Sequence, residues 1–279
     1  MSKTALCIGI NNYPGTGMDL QGCVNDANDW AAVLQARGYT VSMLLDAQAT
    51  KAAMVQALTD VIGGAVSGDS LVITFSGHGT YQPDSDGDEA DGLDEALCPY
   101  DLQTGGGALT DDEIRVLFAA RKPKVRLLLI SDSCHSGTVT RAAPSEPEAD
   151  APRPRFMPMG NWLPQDQLPR TRSGNVAATV STTPGHVSAF SSVLLKQQGD
   201  LLLSGCKEGP NNFSYDAKIS GRFNGAFTYY ALKTLKALPA TASYADWHKA
   251  ISAYLPSASY PQSPQIFGAS ATRKQKIFG

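Results

Sequence analysis

The stretch "LLLISDSCHSGT", residues 127–138, decides how the chain folds. Residues 127–130 form an unbroken apolar run, too short for a buried helix and typical of a strand covered on both faces. The run ends at Asp132, Ser133, Cys134 and His135, then Ser136 and Gly137, so an acid and a thiol stand at the mouth of a buried strand. "TALCIGI" (4–10) and "LVITFS" (71–76) read the same way, and "YTVSMLL" (39–45) alternates less cleanly before Asp46. Helical patterns separate these strands. Residues 24–37 end at Gly38, a C-terminal stop, and residues 51–62 end in Gly63 and Gly64. Residues 110–122 open with Thr110 and Glu113 at capping-box spacing. Strand and helix in alternation predict an α/β chain, with a mainly parallel central sheet flanked by helices.

From 141 to 198 neither period survives, and "RAAPSEPEADAPRPRFMPMGNWLPQDQLPRTRSG" is rich in Pro, Arg and small polar residues. It reads as a linker or a long surface insertion. Regularity returns with a strand over 200–206, helices over 225–238 and 244–255, and a last strand over 264–268. The expected layout is a part over 1–140, the segment 141–198, and a part over 199–279 completing the same sheet. With 279 residues, 42% hydrophobic and 18% charged, and a net charge of −3, the chain has ordinary globular composition. Neither nucleic acid nor a membrane is suggested as a partner, and a cytoplasmic location is the expectation. Five widely spread cysteines, with no CxxC pair, argue against a disulfide framework or a structural zinc site.

His78 stands at the tip of the third strand in "SGHG" as Cys134 stands at the tip of the fourth. In open parallel sheets the ligand crevice lies beyond the carboxyl ends of the strands, so the two meet there. A cysteine nucleophile needs a base to raise its thiolate fraction, and His78 is the expected partner. His135 competes for that role, but adjacent residues of an extended chain face opposite ways. The backbone N–H groups of Gly79 and Cys134 are the expected oxyanion hole. A zinc site from His78, Cys98, Cys134 and His135 matches no familiar spacing.

"FSGHG", "DSCHSG", "GCVNDANDW", "TDDEI", "SGCKE", "GAFTYYAL" and "PQSPQ" together resemble the metacaspase branch of the caspase-like cysteine peptidases. The resemblance covers nearly the whole chain apart from 141–198. It implies a caspase-like fold, a monomer, no organic cofactor, and peptide-bond hydrolysis after Arg or Lys. It also maps a basic-residue pocket onto Cys23, Asp26, Ser76 and Asp132. The residues argue for a cationic substrate independently, because Asp26 and Asp132 both fall at the carboxyl edge and a guanidinium seeks planar carboxylates. The rival reading is a catalytically silent module that binds basic peptides in the same cleft.

Residues 84–95, "DSDGDEADGLDE", carry seven acids. Glu89 stands where an EF-hand loop needs Gly, so that motif is excluded, but oxygen ligands at this density suit a hard cation. The resemblance implies calcium activation through this loop and the following helix start, with Asp111, Asp112 and one or more of Asp91, Asp94 and Glu95. Arg141 departs from the pattern, standing where calcium-binding relatives carry an acid. The alternative is a solvated acidic loop. Within 141–198, Arg155, Arg170 and Arg172 are candidates for self-cleavage on an exposed chain, whereas Pro154 protects Arg153; the other outcome is a lid that stays intact.

Overall fold

In the computed structural model the described residues are 1–84, 92–134, 150–168, 200–207 and 212–279. His135, Arg141, Arg170, Arg172 and acidic-loop residues 85–91 lie outside them.

Six strands make the central sheet: β1 (Lys3–Gly9), β2 (Thr40–Leu45), β3 (Ser70–Ser76), β7 (Arg126–Asp132), β9 (Asp200–Ser204) and β12 (Gln265–Gly268). Their order is β12-β9-β7-β3-β1-β2, and all neighbours are parallel except β12 against β9. The apolar runs explain this, because β3 and β7 are buried along nearly their whole length and need helices on both faces. Side chains at alternate positions serve opposite layers. Leu127 and Leu129 join Ile73 and Phe75 on one face, covered by Met54, Leu58 and Ile62 of α2 (Lys51–Gly64) and by Ile114 and Phe118 of α3 (Asp111–Ala119). Leu128 and Ile130 join Val72 on the other, covered by Trp30 and Leu34 of α1 (Cys23–Gln35). On that face also lie Phe227 and Ala231 of α4 (Ala226–Ala237), and Trp247 and Ile251 of α5 (Tyr244–Ile251). Each Leu, Ile, Val, Phe or Met among them contributes about 1.5–3 kcal/mol on burial, so the two apolar layers dominate the stability.

The capping box forms as expected: Thr110 Oγ1 accepts from Glu113 N at 3.3 Å, and Thr110 N donates to Glu113 Oε2 at 3.0 Å. Two departures matter for the site. The acidic stretch is only partly loop, since Asp94 and Glu95 belong to β5 (Leu93–Leu97), which pairs antiparallel with β4 (Gly79–Pro83) and β6 (Leu109–Thr110). The stretch 150–168 is not an open linker either. Its β8 (Arg153–Pro154) pairs antiparallel with β10 (Tyr215–Ile219), which in turn pairs with β11 (Arg222–Gly225).

Candidate active site

Parallel strands β3 and β7 lie side by side, with Ser76 opposite Asp132, so the residues that follow them emerge at one edge. His78 and Cys134 both stand there, fully buried. His78 is fixed from three sides. Its backbone N–H donates to Tyr13 Oη at 2.8 Å, its ring packs against Tyr13 at 4.9 Å, and its Nε2 meets the Met18 carbonyl at 2.6 Å. A carbonyl only accepts, so Nε2 carries the proton and Nδ1 keeps its lone pair. Nδ1 is buried with no hydrogen-bond partner. Burial holds the ring's pKa down at about 4, opposed by the Met18 and Arg155 backbones, so the imidazole is neutral at pH 7. Cys134 Sγ accepts from Ser214 N and lies 3.4 Å from Cys206 Sγ. Burial pushes its pKa well up, and the Cys206 contact adds to this, so the sulfur is a thiol here.

The residue that fills the cleft is Arg155. The sequence points to it as an exposed candidate, but it is wholly buried. Its carbonyl oxygen accepts from both Gly79 N and Cys134 N, each at 3.1 Å. These are the two donors expected of an oxyanion hole. Its own N–H donates to Ser214 O at 2.8 Å, extending the pairing of β8 with β10. The guanidinium reaches inward: Nη2 meets Asp26 Oδ2 at 2.7 Å and Asp216 Oδ1 at 2.9 Å, while Nη1 lies 3.2 Å from both the carbonyl and Oδ2 of Asp132. Burial opposes the charge on Arg155, but the anionic surroundings outweigh it and raise its pKa.

The acids are held in turn. Asp26 accepts from Asn224 Nδ2 at 2.9 Å and Gly225 N at 3.0 Å, and Asp132 Oδ2 from Thr228 N and Oγ1 at 2.9 and 2.7 Å. Asp216 accepts from Gln21 N and Gly22 N at 2.8 and 2.9 Å. A side chain at Gly225 would collide with Asp132 and Arg155, so the close approach requires Gly there. Of the four pocket residues expected from the resemblance, Asp26 and Asp132 touch the guanidinium. Cys23 and Ser76 are buried nearby without hydrogen-bonding it, and burial keeps Cys23 a neutral thiol. Asp216 was missed. Its signal is the alternation in "SYDAKI" before Ser220 and Gly221, a short strand and turn overlooked among polar residues.

Asp94 and Asp112 line one cavity of about 480 Å³, with Lys51 and Arg115 also on its wall; Asp111 is buried but does not line it. Arg115 pairs with Asp112, and Lys51 with Glu113 at 2.9 Å. Among the described residues no three His, Cys, Asp or Glu side chains are grouped as metal ligands. The carboxylates suit a hard cation in type.

A mainly parallel sheet flanked by helices, with a buried His and Cys at adjacent strand ends beside an acid-walled pocket, places the chain in the caspase-like class of folds. Residues 3–143 match the family described as metacaspase, peptidase C14 domain. The chain is 31% identical to Metacaspase-1 of Kluyveromyces lactis and 32% identical to Metacaspase-1 of Meyerozyma guilliermondii, over 95% and 85% of its length. It spans 65% and 62% of those two relatives. The crystal structure of protein GSU0716 from Geobacter sulfurreducens is similar at a TM-score of 0.71 and 30% identity, covering 100% of this chain and 98% of that one. The chain belongs to the metacaspase family. No helix of the described residues is long and apolar enough to cross a membrane.

Proposed function

We propose that this chain is a cysteine endopeptidase that cuts after Arg or Lys, and that its first substrate is its own bond between Arg155 and Phe156. One observation carries the reading: three carboxylates grip the Arg155 guanidinium while the carbonyl of that residue accepts from Gly79 N and Cys134 N. That is how a P1 residue lies before attack. Cys134 Sγ leaves Ser214 and Cys206 and attacks the Arg155 carbonyl carbon, His78 takes the thiol proton, and the two N–H groups hold the oxyanion. His78 then protonates the departing Phe156 nitrogen, and a water hydrolyses the thioester at Arg155. The other candidates, Arg170 and Arg172, belong to the same proposal.

The test is hydrolysis of matched fluorogenic peptides with Arg, Lys or Asp at P1. Cleavage after Arg or Lys alone is expected. Cleavage after Asp would refute the pocket argument, and no cleavage would favour the silent peptide-binding module. The proposal extends to calcium held by Asp94, Asp111, Asp112 and carboxylates of the acidic loop; its support is the cavity shared by Asp94 and Asp112. Millimolar Ca²⁺ is expected to raise kcat/KM, and Asp112→Asn to remove that response. An unchanged rate with and without chelator would remove calcium from the scheme.

The pocket also sets the pH dependence. Burial raises Asp26 from 3.8 to about 7, with Asp132 adding to the rise and Arg155 and Asn224 opposing it. Ionised Asp26 binds the guanidinium, so turnover falls as pH drops through about 7. The His78 step lies near 4, far below. The kcat profile reports groups of the substrate-filled enzyme, and its acidic limb is expected near 7. Asp26→Asn should remove this limb; its survival in that variant would assign it elsewhere.

A further inference from the structure

The mechanism uses Arg155 and the bond after it, but gives no role to the side chain of Phe156. That side chain is only 1% exposed. Its ring stacks on Tyr81, with centroids 5.5 Å apart and planes at 29°, and tilts against Phe213 at 6.2 Å. Cys134 and Cys206 complete the apolar cluster around it. The main chain is clamped on both sides: Gly79 N donates to Arg155 O, and Met157 N donates to Gly79 O at 2.8 Å. Thr80 Oγ1 then donates to Met157 O at 2.7 Å.

These contacts share their origins with the arginine site. Gly79 and Tyr81 are alternate residues of β4, so the strand that clamps the backbone also presents the stacking ring. Phe213 directly precedes Ser214, whose carbonyl accepts from Arg155 N. The elements that hold P1 therefore also wall in the next side chain, and the register that seats an arginine seats its successor in an aromatic slot. The named walls carry no charge, so an acidic side chain there would lose its hydration without gaining a partner.

We propose that Tyr81 and Phe213 form an S1′ subsite, and that the preferred substrates are extended segments in which Arg is followed by an aromatic or large apolar residue. The inference rests on the reading of Arg155 as a substrate residue. It is tested in trans on the wild-type full chain, with quenched-fluorescent peptides copying residues 152–158, PRPRFMP, and Phe, Leu, Ala or Asp at P1′. Residual occupancy of the cleft by the chain's own segment scales all rates alike, so ratios of kcat/KM are read. Phe is expected to exceed Ala by about tenfold or more, with Leu between them and Asp lowest. In the Phe213→Ala enzyme the ratio of Phe to Ala should shrink toward one while the preference for Arg over Asp at P1 persists. A merely structural role for Phe213 would lower all peptides together and overturn the assignment. Equal kcat/KM for Phe, Ala and Asp would overturn the subsite and leave arginine specificity standing. No cleavage after Arg in any peptide would overturn the proposed function and the subsite with it.

Discussion

Cys134→Ala is expected to abolish hydrolysis of arginyl peptides and cleavage after Arg155, lowering kcat on the order of 10⁴-fold or more. The substitution removes the sulfur but keeps the Cys134 N–H that meets the Arg155 carbonyl, and leaves all three pocket carboxylates in place. Recognition should therefore outlast catalysis, with the uncut chain's own Arg155 still seated among the three carboxylates. Ser214 N loses its acceptor in this variant, which costs about 1–3 kcal/mol. Cys134→Ser retains an acceptor and serves as the second variant. Mass spectrometry of purified wild type and both variants reads the result directly. An intact wild type, or the same fragments in all three, would refute self-cleavage. Peptide hydrolysis surviving in both variants would move the nucleophile elsewhere, with Cys206, 3.4 Å away, the next thiol to replace.

Arg155→Ala, compared in the Cys134→Ala background so that neither chain is cut, is expected to destabilise the fold by about 3–5 kcal/mol. Asp26, Asp132 and Asp216 are each at most 1% exposed, and Arg155 is the cation they share. Breaking a buried ion pair leaves its surviving charges uncompensated, which costs far more than the net value of the intact pair. For a chain of this size that corresponds to a fall in Tm on the order of 10 °C. The pH dependence gives the sign. Asp26 already titrates near 7 in the folded chain against 3.8 for its ordinary value, so the folded state binds more protons than the unfolded state between those limits. Its contribution is fully present below 3.8 and lost as pH rises through 7. Removing the guanidinium raises the folded value further, so the deficit should widen at alkaline pH and narrow toward pH 5. Thermal melts at pH 5, 7 and 9 test this, and equal melting temperatures with and without Arg155 would show that the pocket is hydrated rather than ion-paired. Arg155→Lys, with one ammonium in place of a fork, is expected to fall between the two.

Local patterns carried much of this site. Uniformly apolar runs ending in Ser76 and Asp132 announced two neighbouring buried strands, and the residues just after them, His78 and Cys134, announced the chemistry. The Thr110 and Glu113 box marked the start of α3 because a cap is made within four residues. Short polar strands were less legible. β5 hid in an acidic stretch, since Asp94 and Glu95 are depleted residue types for a strand and only pairing with β4 makes them one. β10 and β11 hid among Ser, Asn and Gly for the same reason, and Asp216 hid with them. Phe156 showed no period at all, because its surroundings are assembled by Tyr81 of β4 and by Phe213, which are distant along the chain.

The alternation of strands and helices, the thiol and imidazole at two strand ends, and the acids near them are legible along the chain, because each is written in spacing over a few residues. That Arg155 lies inside the pocket and not on a free surface follows from the folded arrangement alone. Burying a guanidinium takes carboxylates from α1, β7 and β10 at once, and no periodicity along one segment encodes a convergence of three.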